Sequence, residues 1–231
     1  MLKNDLIVYP TKAAIFDMDG VLIDSEPLWQ EAETKVFARV GLRVTPEMCL
    51  ETMGMRVDQV VRYRYERQPW QGKSPRQVEE EILQEMERLI AERGRPAPGA
   101  LEVLDFFRRR SIRLALASSS YMRIIQAVLE TLHLTDVFEV VHSAEFEEHG
   151  KPDPAIYLTT LRKLGLPARA AIAFEDSPNG VRAAKAAGLR VVCIPDKHVG
   201  QHPAFDSADL VLRSLTEFSE SHLKLLGQAE T

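Results

Sequence analysis

Short apolar runs and longer segments of helical spacing alternate along most of this chain. The first run, Ala13 to Asp17 in "AAIFD", is continuous rather than alternating, which predicts a strand buried on both faces. From Ser25 the period changes. "SEPLWQEAETKVFARVG" predicts a helix with Ser25 as its cap, Pro27 in the first turn and Gly41 as its stop. The helical texture continues to Arg95. It is clearest in "SPRQVEEEILQEMERLIAERG", where Val78, Ile82, Met86, Leu89 and Ile90 share one face behind Ser74 as cap and Pro75 at the first helical position. After "GRPAPGA", the runs "IRLALAS", "VFEVVHS", "AIAFED" and "RVVCIP" alternate with helical segments starting at Tyr121, in "DPAIYLTTLRKLG" and in "NGVRAAKAAG". That alternation predicts an α/β fold: a doubly wound parallel sheet with right-handed crossovers. The helical stretch interrupts the sheet after its first strand. The expected organisation is a core of residues 1–24 and 97–231 with an all-helical cap domain at 25–96.

Composition narrows the classes. The chain has 231 residues, 45% hydrophobic and 27% charged, enough for a sizeable core and too apolar for disorder. A formal net charge of −5 gives no global field for gathering nucleic acid. The Arg/Tyr interleaving in "RVDQVVRYRYERQPW" is accordingly read as a solvated helix face. Cys49 and Cys193 belong to no C-x-x-C pair, so reduced, buried thiols in a cytoplasmic protein are expected. "MLKNDLIVYPTK" lacks the pattern of a signal peptide, and no segment has the length of a membrane span. His198 and His202 are four residues apart, but "PDKHVGQHP" reads as a loop, where helical metal-ligand spacing does not apply.

Ligands of an open parallel sheet bind at the carboxyl ends of its strands. Those ends carry Asp17 and Asp19, then Ser118, Ser119 and Ser120, then Lys151 in "GKPDP", then Glu175 and Asp176. Carboxylates crowded together raise one another's pKa unless a cation holds them ionised. A hard divalent ion with oxygen ligands, Mg²⁺ by preference, meets that need. Lys151 adds positive charge, and Ser118 with nearby backbone N–H groups suits phosphate oxygens. A metal, a lysine, a phosphate cradle and a spare carboxylate point to phosphoryl transfer with a carboxylate as covalent nucleophile.

Four ordered segments carry a family resemblance. "DMDGVLIDSEP", "ALASSS", "GKPDP" and "EDSPNGVRAAKAAGLR" resemble the successive motifs of the haloacid dehalogenase-like hydrolases, and the helical insertion is similar to that family's small helical cap. The resemblance implies a Rossmann-like core and gives each residue a role. Asp17 attacks phosphorus. Asp19 protonates the leaving alkoxide and then acts as base toward water. Ser118 and Ser119 bind the transferring phosphoryl, and Lys151 neutralises charge on it and on the nucleophile. Asp17, the backbone carbonyl of Asp19, and Asp176 hold Mg²⁺, with Glu175 ligating directly or at one remove. An acid at Asp19 implies phosphate esters rather than carbon–halogen bonds as substrates.

In the same light, Glu26, Trp29, Gly54 and Arg56 are candidates to face the substrate, Trp29 by stacking on a sugar and Arg56 by holding a second polar group. β-Phosphoglucomutase-like relatives have histidine at the position of Trp29, so its absence favours a phosphatase over a mutase. "DSEPLWQEAE", "GMRVDQVV" and "RQPWQG" look most like the hexose- and hexitol-phosphate phosphatases, those acting on 2-deoxyglucose 6-phosphate included. The expectation is a monomeric phosphatase of small sugar or sugar-alcohol monophosphates. The alternatives are a phosphomutase and a non-catalytic sugar-phosphate sensor.

Overall fold

The computed structural model describes residues 10–197 and 199–227. The N-terminal segment read above for a targeting signal therefore lies largely outside the described residues, as does His198. Six parallel strands form one sheet in the order β3-β2-β1-β4-β5-β6. They are β1 (Ala13–Phe16), β2 (Arg113–Ser118), β3 (Val140–Ser143), β4 (Ala171–Glu175), β5 (Arg190–Cys193) and β6 (Leu210–Val211). The continuous apolar run of β1 has its reason in the sheet. Ala14 and Phe16 belong to one hydrophobic cluster and Ala13 and Ile15 to the other, so both faces are covered. On the first face Phe16 stacks on Phe174 of β4 at 4.6 Å, and Phe107 and Phe218 meet that pair edge-on.

Between β1 and β2 run α1 (Glu26–Ala38), α2 (Pro46–Leu50), α3 (Val57–Arg67), α4 (Pro75–Arg93) and α5 (Ala100–Arg108). α4 starts in a capping box: Ser74 Oγ accepts from Gln77 N, and the Gln77 side chain accepts from Ser74 N. Its predicted stripe, Val78, Ile82, Met86, Leu89 and Ile90, is buried. α1 and α3 pack on α4, and Trp70 closes the group against Phe37 and Tyr65. The two chain crossings into this helical group lie side by side: Asp24 N donates to Arg95 O, and Ala97 N to Leu22 O.

The remaining helices are α6 (Met122–Thr131), α7 (Ala155–Leu164), α8 (Pro178–Ala186) and α9 (Glu220–Gly227). α6 also receives α4, through Arg123 paired with Glu80 and Glu87. Strand β6 and helix α9 were not evident in the sequence. β6 has two residues, with Val211 half exposed, too short a stretch for any periodicity. No described helix is long and apolar enough to cross a membrane. Chain order departs from β1 to β2 on one side and continues from β4 on the other. The switch point therefore falls between β1 and β4, where the carboxylates collect.

Candidate active site

Asp17 follows the last residue of β1 and is fixed there by its own N–H, which donates to Phe174 O at 3.0 Å. Across the switch point, β4 ends in Glu175 and Asp176 follows it. Lys151 enters from the loop between β3 and α7. All four side chains are buried. Lys151 Nζ lies 3.0 Å from Asp17 Oδ1 and 2.7 Å from Glu175 Oε1, and donates to Ala117 O at 3.2 Å. The Tyr157 hydroxyl also donates to Glu175 Oε1. Burial pushes the Asp17 carboxyl up to about 8, with Lys151 opposing the rise and Glu175 and Asp19 adding to it. Burial, then Asp17 and Glu175, likewise drives Asp176 well above the usual carboxylate range. Burial alone would depress Lys151; facing Asp17 and Glu175, it is raised on balance.

This arrangement is electrostatically incomplete. Glu175 Oε2 and Asp176 Oδ2 are buried without hydrogen-bond partners among the described residues. Oxygens of Asp17, Glu175 and Asp176 lie within 4.8 Å of one another. A set of hard, under-neutralised oxygen donors fits a hard divalent cation such as Mg²⁺. Two glycines make room for these carboxylates. A Cβ on Gly20 would stand 1.9 Å from Asp176 Oδ2, and Gly20 also has a φ of +70°. A Cβ on Gly180, in the first turn of α8, would stand 1.8 Å from Glu175 Oε2.

Asp19 sits apart from this group, held by three donors. Ser25 Oγ donates to Oδ1 at 2.6 Å, Trp29 Nε1 to Oδ1 at 2.8 Å, and Ser120 Oγ to Oδ2 at 2.7 Å. Ser25 stands at the predicted cap position of α1, but its hydroxyl makes no cap hydrogen bond. It is turned to Asp19 instead. Trp29, expected to stack on a sugar, presents its indole N–H to Asp19, a role the sequence did not disclose. Ser118 closes β2 with its Oγ accepting from Ser120 N at 3.1 Å, and Ser119 Oγ donates to Gly54 O at 2.9 Å.

A cavity opens above these groups, between the strand ends and α1, α2 and α3. Asp17, Asp19, Ser119, Ser120 and Asp176 line it from the sheet side; Glu26, Trp29 and Gly54 line it from the helical side. Arg56 does not join them. Its guanidinium pairs with Asp58 through Nε and a terminal nitrogen and donates to Ala144 O at 2.7 Å and Glu147 O at 2.9 Å. These partners occupy the fork that was expected to hold substrate. Instead, Arg56 fastens the start of α3 to the loop after β3. Sequence reading also missed Glu33, Cys49, Thr52 and Met53 in the cavity wall. The signal available for Glu33 was an acid among Leu28, Ala32, Val36 and Phe37, the buried residues of α1.

Known proteins resemble this chain in sequence and in fold. A sequence profile of the haloacid dehalogenase-like hydrolases matches residues 11–188. Hexitol phosphatase B of Escherichia coli (strain K12) is 40% identical over 212 residues, which span 91% of this chain and 96% of that protein. A phosphorylated carbohydrates phosphatase of Thermotoga maritima is 35% identical over 178 residues, 77% of this chain and 82% of that protein. The crystal structure of CbbY from Rhodobacter sphaeroides in complex with phosphate superposes with a TM-score of 0.83 at 28% identity, covering 90% of this chain and 96% of that one. The chain belongs to the haloacid dehalogenase-like hydrolases.

Proposed function

We propose that this hydrolase is a Mg²⁺-dependent phosphatase of small sugar or sugar-alcohol monophosphates, acting through Asp17 as nucleophile, with residues 25–96 as a cap over the site. One observation carries the reading: Asp17, paired with the Lys151 ammonium, shares a cavity with a separate carboxylate, Asp19, fixed by three donors. The names of the hexitol and carbohydrate phosphatases it resembles favour the substrate class.

Asp17, Glu175 and Asp176, with the Asp19 carbonyl, would hold the ion. Mg²⁺ there supplies positive charge that keeps Asp17 ionised and offsets charge on the phosphoryl oxygens. Asp17 attacks phosphorus as the ester P–O bond breaks, and Asp19 gives the departing alkoxide its proton. Indole nitrogen is a donor only, so Trp29 fixes Oδ1 of Asp19 as an acceptor. A proton for transfer would therefore be carried on Oδ2, the oxygen to which Ser120 Oγ donates in this structure. Asp19 then takes a proton from water, whose oxygen attacks phosphorus and releases the Asp17 carboxylate and phosphate. Ser118, Ser119 and Lys151 position and neutralise the phosphoryl group. Trp29 cannot relay a proton, which favours net hydrolysis over a mutase cycle. The free, buried thiols of Cys49 and Cys193 support a cytoplasmic setting, and a small-molecule ester needs no second subunit at the site.

Phosphate release from a panel of hexitol and hexose phosphates, with Mg²⁺, tests the reading. Selective release is expected, abolished both by EDTA and by Asp17→Asn. A sugar phosphate isomerised without phosphate release would favour the mutase, and one bound unchanged would favour the sensor.

A further inference from the structure

The face of α1 that meets the cavity carries Glu26, Trp29 and Glu33 at helical spacing. Trp29 reaches back to Asp19. Glu33 lies four residues further on, about 6 Å along the axis at the usual rise. It is only 7% exposed. Glu33 lines the cavity beside Cys49, and its Oε2 is buried without a hydrogen-bond partner among the described residues. Leaving a carboxyl oxygen in that condition is costly, and Val57 and Val60, which line the same cavity, have no donor to offer. Buried Arg64 spends its terminal nitrogens on Glu51 and the Met48 carbonyl, and its Nε, also without a partner among the described residues, makes no hydrogen bond to Glu33. A ligand bringing a hydroxyl into the cavity would remove the cost.

We infer that Glu33 determines specificity: its Oε2 accepts a hydrogen bond from a hydroxyl on the substrate's carbon chain, beyond the phosphate ester. The inference rests on the phosphatase reading above. The ester oxygen has to lie beside Asp19, which protonates it. The carbon chain attached to that oxygen then runs past Trp29 toward Glu33, in the order in which α1 presents them. Sugars and polyols place hydroxyls on successive carbons, so one comes within reach. A simple aryl or alkyl phosphate leaves Oε2 bare. The carboxyl is pushed up to about 7, chiefly by burial, with Cys49 and Arg64 opposing and Glu26 adding to the rise. Protonated or not, it retains an oxygen that accepts a hydroxyl's hydrogen bond.

The readout is the ratio of kcat/KM for hexitol 6-phosphate to kcat/KM for p-nitrophenyl phosphate, which has no hydroxyl to offer. Glu33→Leu should lower that ratio about tenfold, equivalent to roughly 1.4 kcal/mol, mainly through KM. Glu33→Gln keeps a carbonyl oxygen and should retain part of the preference. A purely structural role would slow both substrates together; a ratio unchanged in both variants overturns the inference. If the parent protein hydrolyses neither compound, the phosphatase reading fails separately, and binding decides. Calorimetry on Asp17→Asn protein should then show Glu33→Leu weakening hexitol 6-phosphate about tenfold while sparing methyl phosphate. Equal effects on the two ligands would overturn the inference.

Discussion

At the residue scale, the role proposed for Asp17 requires burial, to exclude water from phosphoryl transfer, and ionisation, to attack. Burial wins without a cation: the carboxyl sits near 8 despite Lys151 at 3.0 Å. That has a consequence for stability. Below its ordinary value of 3.8 the group is protonated in folded and unfolded chains alike, and above about 8 it is ionised in both. Between those limits the folded chain holds a proton that the unfolded chain has released. The contribution to stability therefore declines as pH rises through that window. Asp176 is shifted in the same direction, steepening the decline. Mg²⁺ binds the deprotonated carboxylates, so it should restore most where most has been lost. Thermal denaturation with EDTA and with Mg²⁺ checks this: the Mg²⁺-induced rise in Tm should be larger at pH 8 than at pH 6, two values chosen inside the window. No Mg²⁺ effect at either pH would remove the cation from the account.

At the scale of elements, the segment Met53 to Arg56 touches the chain just beyond three strand ends. Ser119 Oγ donates to Gly54 O, Asn179 Nδ2 to Met53 O, and Arg56 to the carbonyls of Ala144 and Glu147. Arg56 is thus a fastener between helical group and sheet. Arg56→Ala should cost the closed arrangement about 1–2 kcal/mol, raising KM for a hexitol phosphate by roughly tenfold with faster amide exchange at 53–56 and 144–147. Unchanged exchange in both segments would show that the fastener does not hold. Arg56 also marks how far sequence reasoning reaches. Strands β1 to β5 and the carboxyl-end cluster were legible, because continuous apolar runs and the strand-end rule locate them without knowledge of any side-chain direction. Trp29 and Arg56 were expected to face the substrate and Ser25 to cap a helix, but their partners depend on tertiary approach. Arg56 turns to Asp58 and two carbonyls, and Trp29 and Ser25 turn to Asp19. Glu33 was hidden because an acid within an apolar stripe gives no hint of which oxygen stays unpartnered. β6, at two residues, left no pattern to read.

Across the whole molecule, the carboxyl ends of a parallel sheet supply one wall of the cavity, and a helical group inserted after the first strand supplies the other. The two chain crossings are hydrogen-bonded side by side, at Leu22 to Asp24 and Arg95 to Ala97, which gives the helical group a narrow attachment about which to move. Closure would exclude water during transfer from the ester to Asp17, and opening would readmit it for hydrolysis. The central claim is that the phosphoryl group passes through Asp17. The measurement that tests it most directly is acid quenching early in turnover of a hexitol phosphate with Mg²⁺, followed by mass spectrometry of the peptide containing Asp17. The account predicts one added phosphoryl group localised to Asp17 in the parent protein and none in Asp17→Asn. Sustained turnover with the phosphoryl group trapped on another residue would contradict it.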